Sequence, residues 1–260
     1  MLRVGTVPYL VARPLTEGLA ERPGVALTAA PPAELAGLLA AGELDVALAS
    51  SVLAVEDPRF RLWTEGPVIA SDGPVRSVLL LLRPGLPGPG AVERVALDPH
   101  SRTGRALARI VLRERWGAEP EAIEAAAGEA AFAPGGADAV QRIGDPALVA
   151  AAARPDWGLV DLGEEWRLLT GLPFVFAGWI GRPGFDPAEA APVLEEAAAA
   201  GLPRRAELAA ATHLPGVSAD FLRRYLVRDL RYHLGGERTR AALAEFGRRL
   251  DELAVREEKA

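Results

Sequence analysis

The chain has 260 residues, a formal net charge of −6, no Cys, a single Lys (Lys259) and three scattered His residues. Without Cys there is no disulfide scaffold, thiolate nucleophile, iron–sulfur cluster or Cys-ligated zinc, and His100, His213 and His233 fall in no metal-binding spacing. Half of the residues are hydrophobic, enough for the core of one large domain or two lobes, while an acidic chain with no apolar run near the ~20 residues of a membrane span reads as cytoplasmic, without nucleic-acid or membrane partners.

Apolar runs and helical stretches alternate from the start. Leu2–Val7 reads as a buried strand, Arg13–Ala20 as a helix with Pro14 in its first turn, and Val25–Ala30 as a second strand. Pro32 leads into a helix over Ala33–Ala41, and Asp45–Ala49 is a third strand, ending at Ser50-Ser51. This β-α-β-α-β order predicts parallel strands in a doubly wound sheet. Val75–Leu82 is a further strand, and Gly85–Gly90 (GLPGPG) breaks the chain.

A second round follows: strand Val92–Leu97, helix Thr103–Trp116, strand Ala137–Ile143, helix Pro146–Ala153, strand Trp157–Val160, helix Leu162–Leu169 and strand Phe174–Ile180. The Ala/Glu/Gly-rich stretch Glu119–Gly136 carries no clear periodicity. From Pro187 onward helices are expected throughout, over Pro187–Ala200, Arg204–Thr212, Ser218–Leu234 and Glu237–Glu258. Two β/α rounds suggest two lobes with a ligand cleft beyond the carboxyl ends of the strands.

Several motifs fall where such a cleft would be. Ser101-Arg102-Thr103 sits between a strand and a helix, where hydroxyls and unpaired N–H groups can hold an anion and Arg102 can pair with a carboxylate; the plainer alternative is that Ser101 caps the helix. In Ile143-Gly144-Asp145-Pro146, Gly144 permits a close backbone approach, while Asp145 is either a ligand contact or an N-cap before Pro146. Ser50 and Ser51 end a strand, where the alternative is an ordinary polar turn. Arg76 and Ser77 interrupt an apolar strand, so one of the two faces a given cleft. The aromatic run Asp161–Trp179 either walls a pocket for a flat ligand or packs the core. No nucleotide-binding glycine motif or nucleophile elbow is present.

Together these stretches resemble the chorismate dehydratase family of the futalosine route to menaquinone. The matching residues are Tyr9-Leu10 with Ala12-Arg13-Pro14-Leu15, Glu43–Ser51, Val75–Val78, Ser101-x-Thr103, Ile143–Leu148 (IGDPAL), Asp161–Trp166 (DLGEEW) and Thr170–Trp179 (TGLPFVFAGW), in family order over residues 1 to about 180. The resemblance implies an α/β, two-lobed fold like the type II periplasmic binding proteins with C-terminal helices, and a hydro-lyase that needs no cofactor. The expected division is residues 1–82 with 181–260 as one lobe and 83–180 as the other.

It further implies chorismate, a small anion, as substrate and 3-[(1-carboxyvinyl)oxy]benzoate as product. The expected substrate-binding residues are Tyr9, Val11, Ser50, Ser51, Ser77, Ser101, Arg102, Thr103, Gly144 and Asp145, with Ser77 and Asp145 the candidates for a catalytic part and no metal. The family usually has Asn after Tyr-Leu, where this chain has Val11. The alternatives are a 1,4-dihydroxy-6-naphthoate synthase of the same pathway, whose strand His is replaced here in Arg142–Asp145, and a non-catalytic cytoplasmic solute-binding protein. As an assembly, a homodimer stands beside a single chain.

Overall fold

The first apolar runs form the expected parallel β/α unit. In the computed structural model of the protein, which describes residues 1–124, 129–133 and 136–257, β1 (Leu2–Thr6) leads through a 3-10 turn at Leu10–Ala12 into α1 (Arg13–Thr16). Then come β2 (Val25–Ala29), α2 (Pro32–Ala40), β3 (Val46–Ser50) and α3 (Val52–Glu56). β2 and β3 both pair parallel to β1. β3 is buried along its whole length, as expected of a strand covered on both faces. α1 is shorter than the expected Arg13–Ala20 because Glu17 leaves helical geometry.

The strands β4 (Arg61–Leu62), β5 (Val68–Ser71) and β6 (Val78–Leu82) follow, then β7 (Arg94–Leu97), α4 (Thr103–Trp116), β8 (Glu121–Glu124), β9 (Ala139–Ile143), α5 (Gly144–Ala153), β10 (Gly158–Asp161), α6 (Leu162–Thr170) and β11 (Phe174–Gly181). The C-terminal part holds α7 (Ala191–Gly201), α8 (Arg205–Ala210), α9 (Ala219–Arg224), a π-turn over Tyr225–Asp229, β12 (Leu230–Arg231) and α10 (Gly236–Glu257). Parts of the Glu119–Gly136 stretch, and Glu258 at the end of the last expected helix, lie outside the described residues.

The strands make two sheets, ordered β12-β5-β11-β3-β1-β2 with β4 beside β11, and β10-β6-β9-β7-β8. Neither is wholly parallel. β11 runs antiparallel to β3 and β5, and β6 runs antiparallel to β9 and β10. Sheet membership also differs from the expected division. Val78–Leu82 pairs in the five-stranded sheet, and Phe174–Gly181 pairs in the seven-stranded one. An apolar run announces a strand but not its partner; the chain crosses at 72–77 and 162–173, and Gly85–Gly90 is only a loop within one sheet.

The expected helix over Ser218–Leu234 breaks as well. Ser218 caps α9 by accepting the Phe221 N–H, but the helix widens into the π-turn, and Leu230–Arg231 pairs antiparallel with Ser71 and Ala70 at the sheet edge. The aromatic run is largely core. Trp166 stacks edge-on against Phe174 and Phe246, with centroids 5.0 and 6.1 Å apart, and donates its indole N–H to the Pro173 carbonyl. No helix among the described residues is long and apolar enough to cross a membrane.

Candidate active site

Where the two sheets meet, residues from both line a cavity of ≈ 70 Å³. Its polar lining is Tyr9, Ser50, Ser77, Ser101 and Thr103; the rest of the wall is apolar, from Val7, Val11, Ile69, Val75 and Phe176 among others. No charged side chain lines it among the described residues. Ligand pockets commonly span about 300 Å³ or more, so this cavity is small beside them.

The hydroxyl groups are held by the local fold. Ser101 Oγ accepts the Gly104 N–H at 3.1 Å, so it caps α4 and lines the cavity at once. A side chain on Gly104 would meet Ser101 Oγ at 2.5 Å and the Gln141 amide at 2.8 Å, which keeps the helix start bare. Gln141, fully buried on β9, accepts the Asp98 N–H through Oε1, while its Nε2 has no partner. Thr103 Oγ1 accepts the Val52 N–H from the other half at 3.2 Å. Tyr225 donates its phenol O–H to Ser77 Oγ at 2.8 Å.

Tyr9 lies over Gly144, whose φ of +63° suits glycine. A Cβ there would sit 2.7 Å from the Tyr9 ring, so the tight approach of the two halves depends on its absence. Burial first, then the Asp98 and Asp145 charges, push the Tyr9 phenol up to about 12, which keeps it protonated. Asp145 lies within the first turn of α5, whose N-cap position is Ile143. Its carboxylate accepts the Leu10 N–H, with both oxygens at 3.1 Å. Burial raises its pKa above the usual carboxylate range, opposed by that N–H and by the Arg13 charge.

Of the sequence-derived residues, Tyr9, Val11, Ser50, Ser77, Ser101, Thr103 and Gly144 share the cavity wall. Three are placed otherwise. Ser51 turns to the Val175 carbonyl, donating at 2.6 Å. Arg102 lies off the cavity wall, its guanidinium drawn to the exposed Glu56 carboxylate at 2.8 Å. Asp145 bridges the halves and caps nothing on its own helix. The expected strand Val75–Leu82 begins only at Val78, so Arg76 and Ser77 precede it: Ser77 faces the cavity, while Arg76 takes a left-handed φ of 65° and pairs with Asp229.

Three residues near the site escaped notice in the sequence: Gln141, Tyr225 and Tyr232, whose O–H donates to the Val11 carbonyl at 3.0 Å. A glutamine within the apolar strand AVQRI was the visible signal for the first. The tyrosines had none, since each sits at an apolar position of a C-terminal helical pattern.

Comparison with known proteins places this geometry. The family model described as menaquinone biosynthesis matches residues 2–252. A chorismate dehydratase of Thermus thermophilus is 35% identical over 220 residues, covering 78% of this chain and 79% of that protein. Among solved structures, a structural-genomics protein of Archaeoglobus fulgidus superposes with a TM-score of 0.76 at 15% identity, covering 98% of both chains. The periplasmic aliphatic sulphonate binding protein of Escherichia coli gives a TM-score of 0.66 at 16% identity, covering 98% of this chain and 92% of the other. These likenesses show the fold, that of periplasmic binding proteins. By the extent of its sequence match, the chain belongs to the menaquinone biosynthesis family.

Proposed function

We propose that this protein is a chorismate dehydratase, a hydro-lyase that converts chorismate to 3-[(1-carboxyvinyl)oxy]benzoate and water. The observation that carries this is the 35% identity to the Thermus enzyme, over a stretch too long to lie in one half alone. In this proposal residues 1–74 with 172–260 form one lobe and 75–171 the other, and the protein works in the cytoplasm on a small dianion.

The cavity supports the chemistry. Chorismate carries two carboxylates, and its dehydration removes a ring proton and the neighbouring hydroxyl to give an aromatic ring. Aromatisation supplies driving force, so orientation and charge stabilisation can carry the catalysis. In this mechanism Ser101, Thr103 and the α4 N-terminus hold one carboxylate, Ser77 donates beside them, and Tyr9 with Ser50 orients the other end. Tyr9 stays protonated and Asp145 is engaged with Leu10, so the enolpyruvyl carboxylate of the substrate serves as the base. The apolar wall at Val11 packs against the ring. A ligand of this size enters when the halves part and reacts after they close.

The test is to incubate purified protein separately with chorismate and with cyclic dehypoxanthine futalosine. Formation of the benzoate ether from chorismate is the expected result. Conversion of the futalosine compound instead would identify the naphthoate synthase, and saturable stabilisation by chorismate without product would identify a binding protein.

A further inference from the structure

We infer that Tyr225 is a positioning residue for the reaction, fixing the Ser77 hydroxyl as a donor aimed at the ligand; this rests on the dehydratase function proposed above. Tyr225 is fully buried, while Ser77, 4% exposed, lines the cavity. Their oxygens are 2.8 Å apart, with Tyr225 the donor. A serine hydroxyl has one proton and two lone pairs. Once a lone pair is filled by the phenol, the serine's own proton is the part left to direct, and a hydroxyl that accepts a hydrogen bond is a stronger donor.

The surroundings keep both partners in place. Burial pushes the phenol's pKa up against the opposing Ser77 hydrogen bond, and the carboxylates of Asp145, Asp161 and Asp229 add to the rise, so Tyr225 keeps the proton it donates to Ser77. The Ser77 backbone is fixed on either side. Its carbonyl accepts the Gly144 N–H at 2.7 Å, and the Val75 and Arg76 N–H groups are held by Asp161 at 2.9 and 2.7 Å. Tyr225 opens the π-turn, a rare widening of a helix that recurs at functional sites. The same segment brings Tyr232 to the carbonyl of Val11, another cavity residue. Two phenols from one C-terminal stretch thus reach two lining residues.

The experiment is a double-mutant cycle on the full chain with Tyr225→Phe, Ser77→Ala and both together. Tyr225→Phe removes one oxygen and keeps the ring. The expected result is a fall in kcat of about tenfold for Tyr225→Phe, the size of one lost hydrogen bond, with a smaller rise in KM of about threefold. Ser77→Ala falls at least as far, and adding Tyr225→Phe to it changes nothing more. Equal losses from Tyr225→Phe whether Ser77 is intact or already replaced, or an unchanged kcat in the single variant, overturn the inference. If the wild-type protein binds chorismate without converting it, the dehydratase proposal fails by itself. The same cycle is then scored on the Kd for chorismate: non-additive losses sustain the Tyr225–Ser77 coupling, and additive ones overturn it.

Discussion

Asp161 and Asp145 both accept backbone N–H groups at the boundary between the two sheets, but on unequal terms. Asp161 takes four, from Val75, Arg76, Gly163 and Glu164, at 2.7–3.2 Å, and so ties together both stretches where the chain crosses between sheets. Asp145 takes one, from Leu10. Burial pushes the pKa of each upward, and at Asp161 the Val75, Arg76 and Glu164 N–H bonds oppose it. The lesson is an asymmetric joint: the crossing side is pinned by a carboxylate with four N–H partners, while the mouth, where Tyr9-Leu10 meets Gly144-Asp145, is held by a carboxylate with one.

The largest effect belongs to the pinned side. Asp161→Ala strands four N–H groups, two in each crossing stretch, and costs about 3 kcal/mol of unfolding free energy. Chemical denaturation monitored by circular dichroism measures it, and a loss below about 1 kcal/mol would show that the crossing does not depend on Asp161. Asp145→Ala is gentler on the fold, at about 1 kcal/mol, and acts on ligand binding instead. The closed complex loses a contact across its mouth, so kcat/KM for chorismate falls about five- to tenfold, chiefly through KM. A change confined to kcat would place Asp145 in the chemistry and break the contrast.

A smaller effect is a pH dependence. The folded-state pKa of Asp145 is raised, so the native state holds this proton more tightly than the unfolded chain does. The contribution of Asp145 is complete below the ordinary carboxylate value and fades as pH rises through the folded-state value. Asp145→Asn removes it. The stability of the wild type relative to that variant therefore declines as pH climbs from about 4 and levels off above the raised value. Thermal unfolding of both proteins across that window measures the trend; a gap that widens in favour of the wild type with rising pH would mean the N–H bond outweighs burial.

Much of the first half was legible because its apolar runs alternate with helix signals at regular spacing: β1, β2, β3 and α2 fall within a residue or two of expectation. α4 was legible at its observed bounds, Thr103–Trp116, opening just after Ser101-Arg102, and Gly117 closes it at φ +66°. Sheet membership was not legible, since VLLLL and FVFAGWI announce burial and not a neighbour. β12 was hidden inside a helical pattern, because a π-turn leaves little trace in side-chain periodicity. In the site, polar residues at the ends of strands and helices stood out, as Ser50, Ser77 and Thr103 did. The functional partners Tyr225 and Tyr232 did not, because a buried tyrosine reads as packing until its hydroxyl is seen to reach something.

The smallest expected effect falls on a third link across the same boundary. Arg102, expected from the sequence to contact the ligand, instead reaches from the start of α4 to Glu56 of α3. Both side chains remain well exposed, at 36% and 48%, and exposed pairs contribute only about 0–1 kcal/mol because water and salt screen them. Arg102→Ala should therefore leave kcat/KM for chorismate within about twofold of wild type, while a variant of the neighbouring Thr103, which lines the cavity and receives the Val52 N–H, loses more. Side-by-side kinetics of the two variants at one ionic strength decides the matter. A large loss at Arg102 that vanishes in high salt would mean that this pair, and not Asp145 alone, governs how the mouth closes.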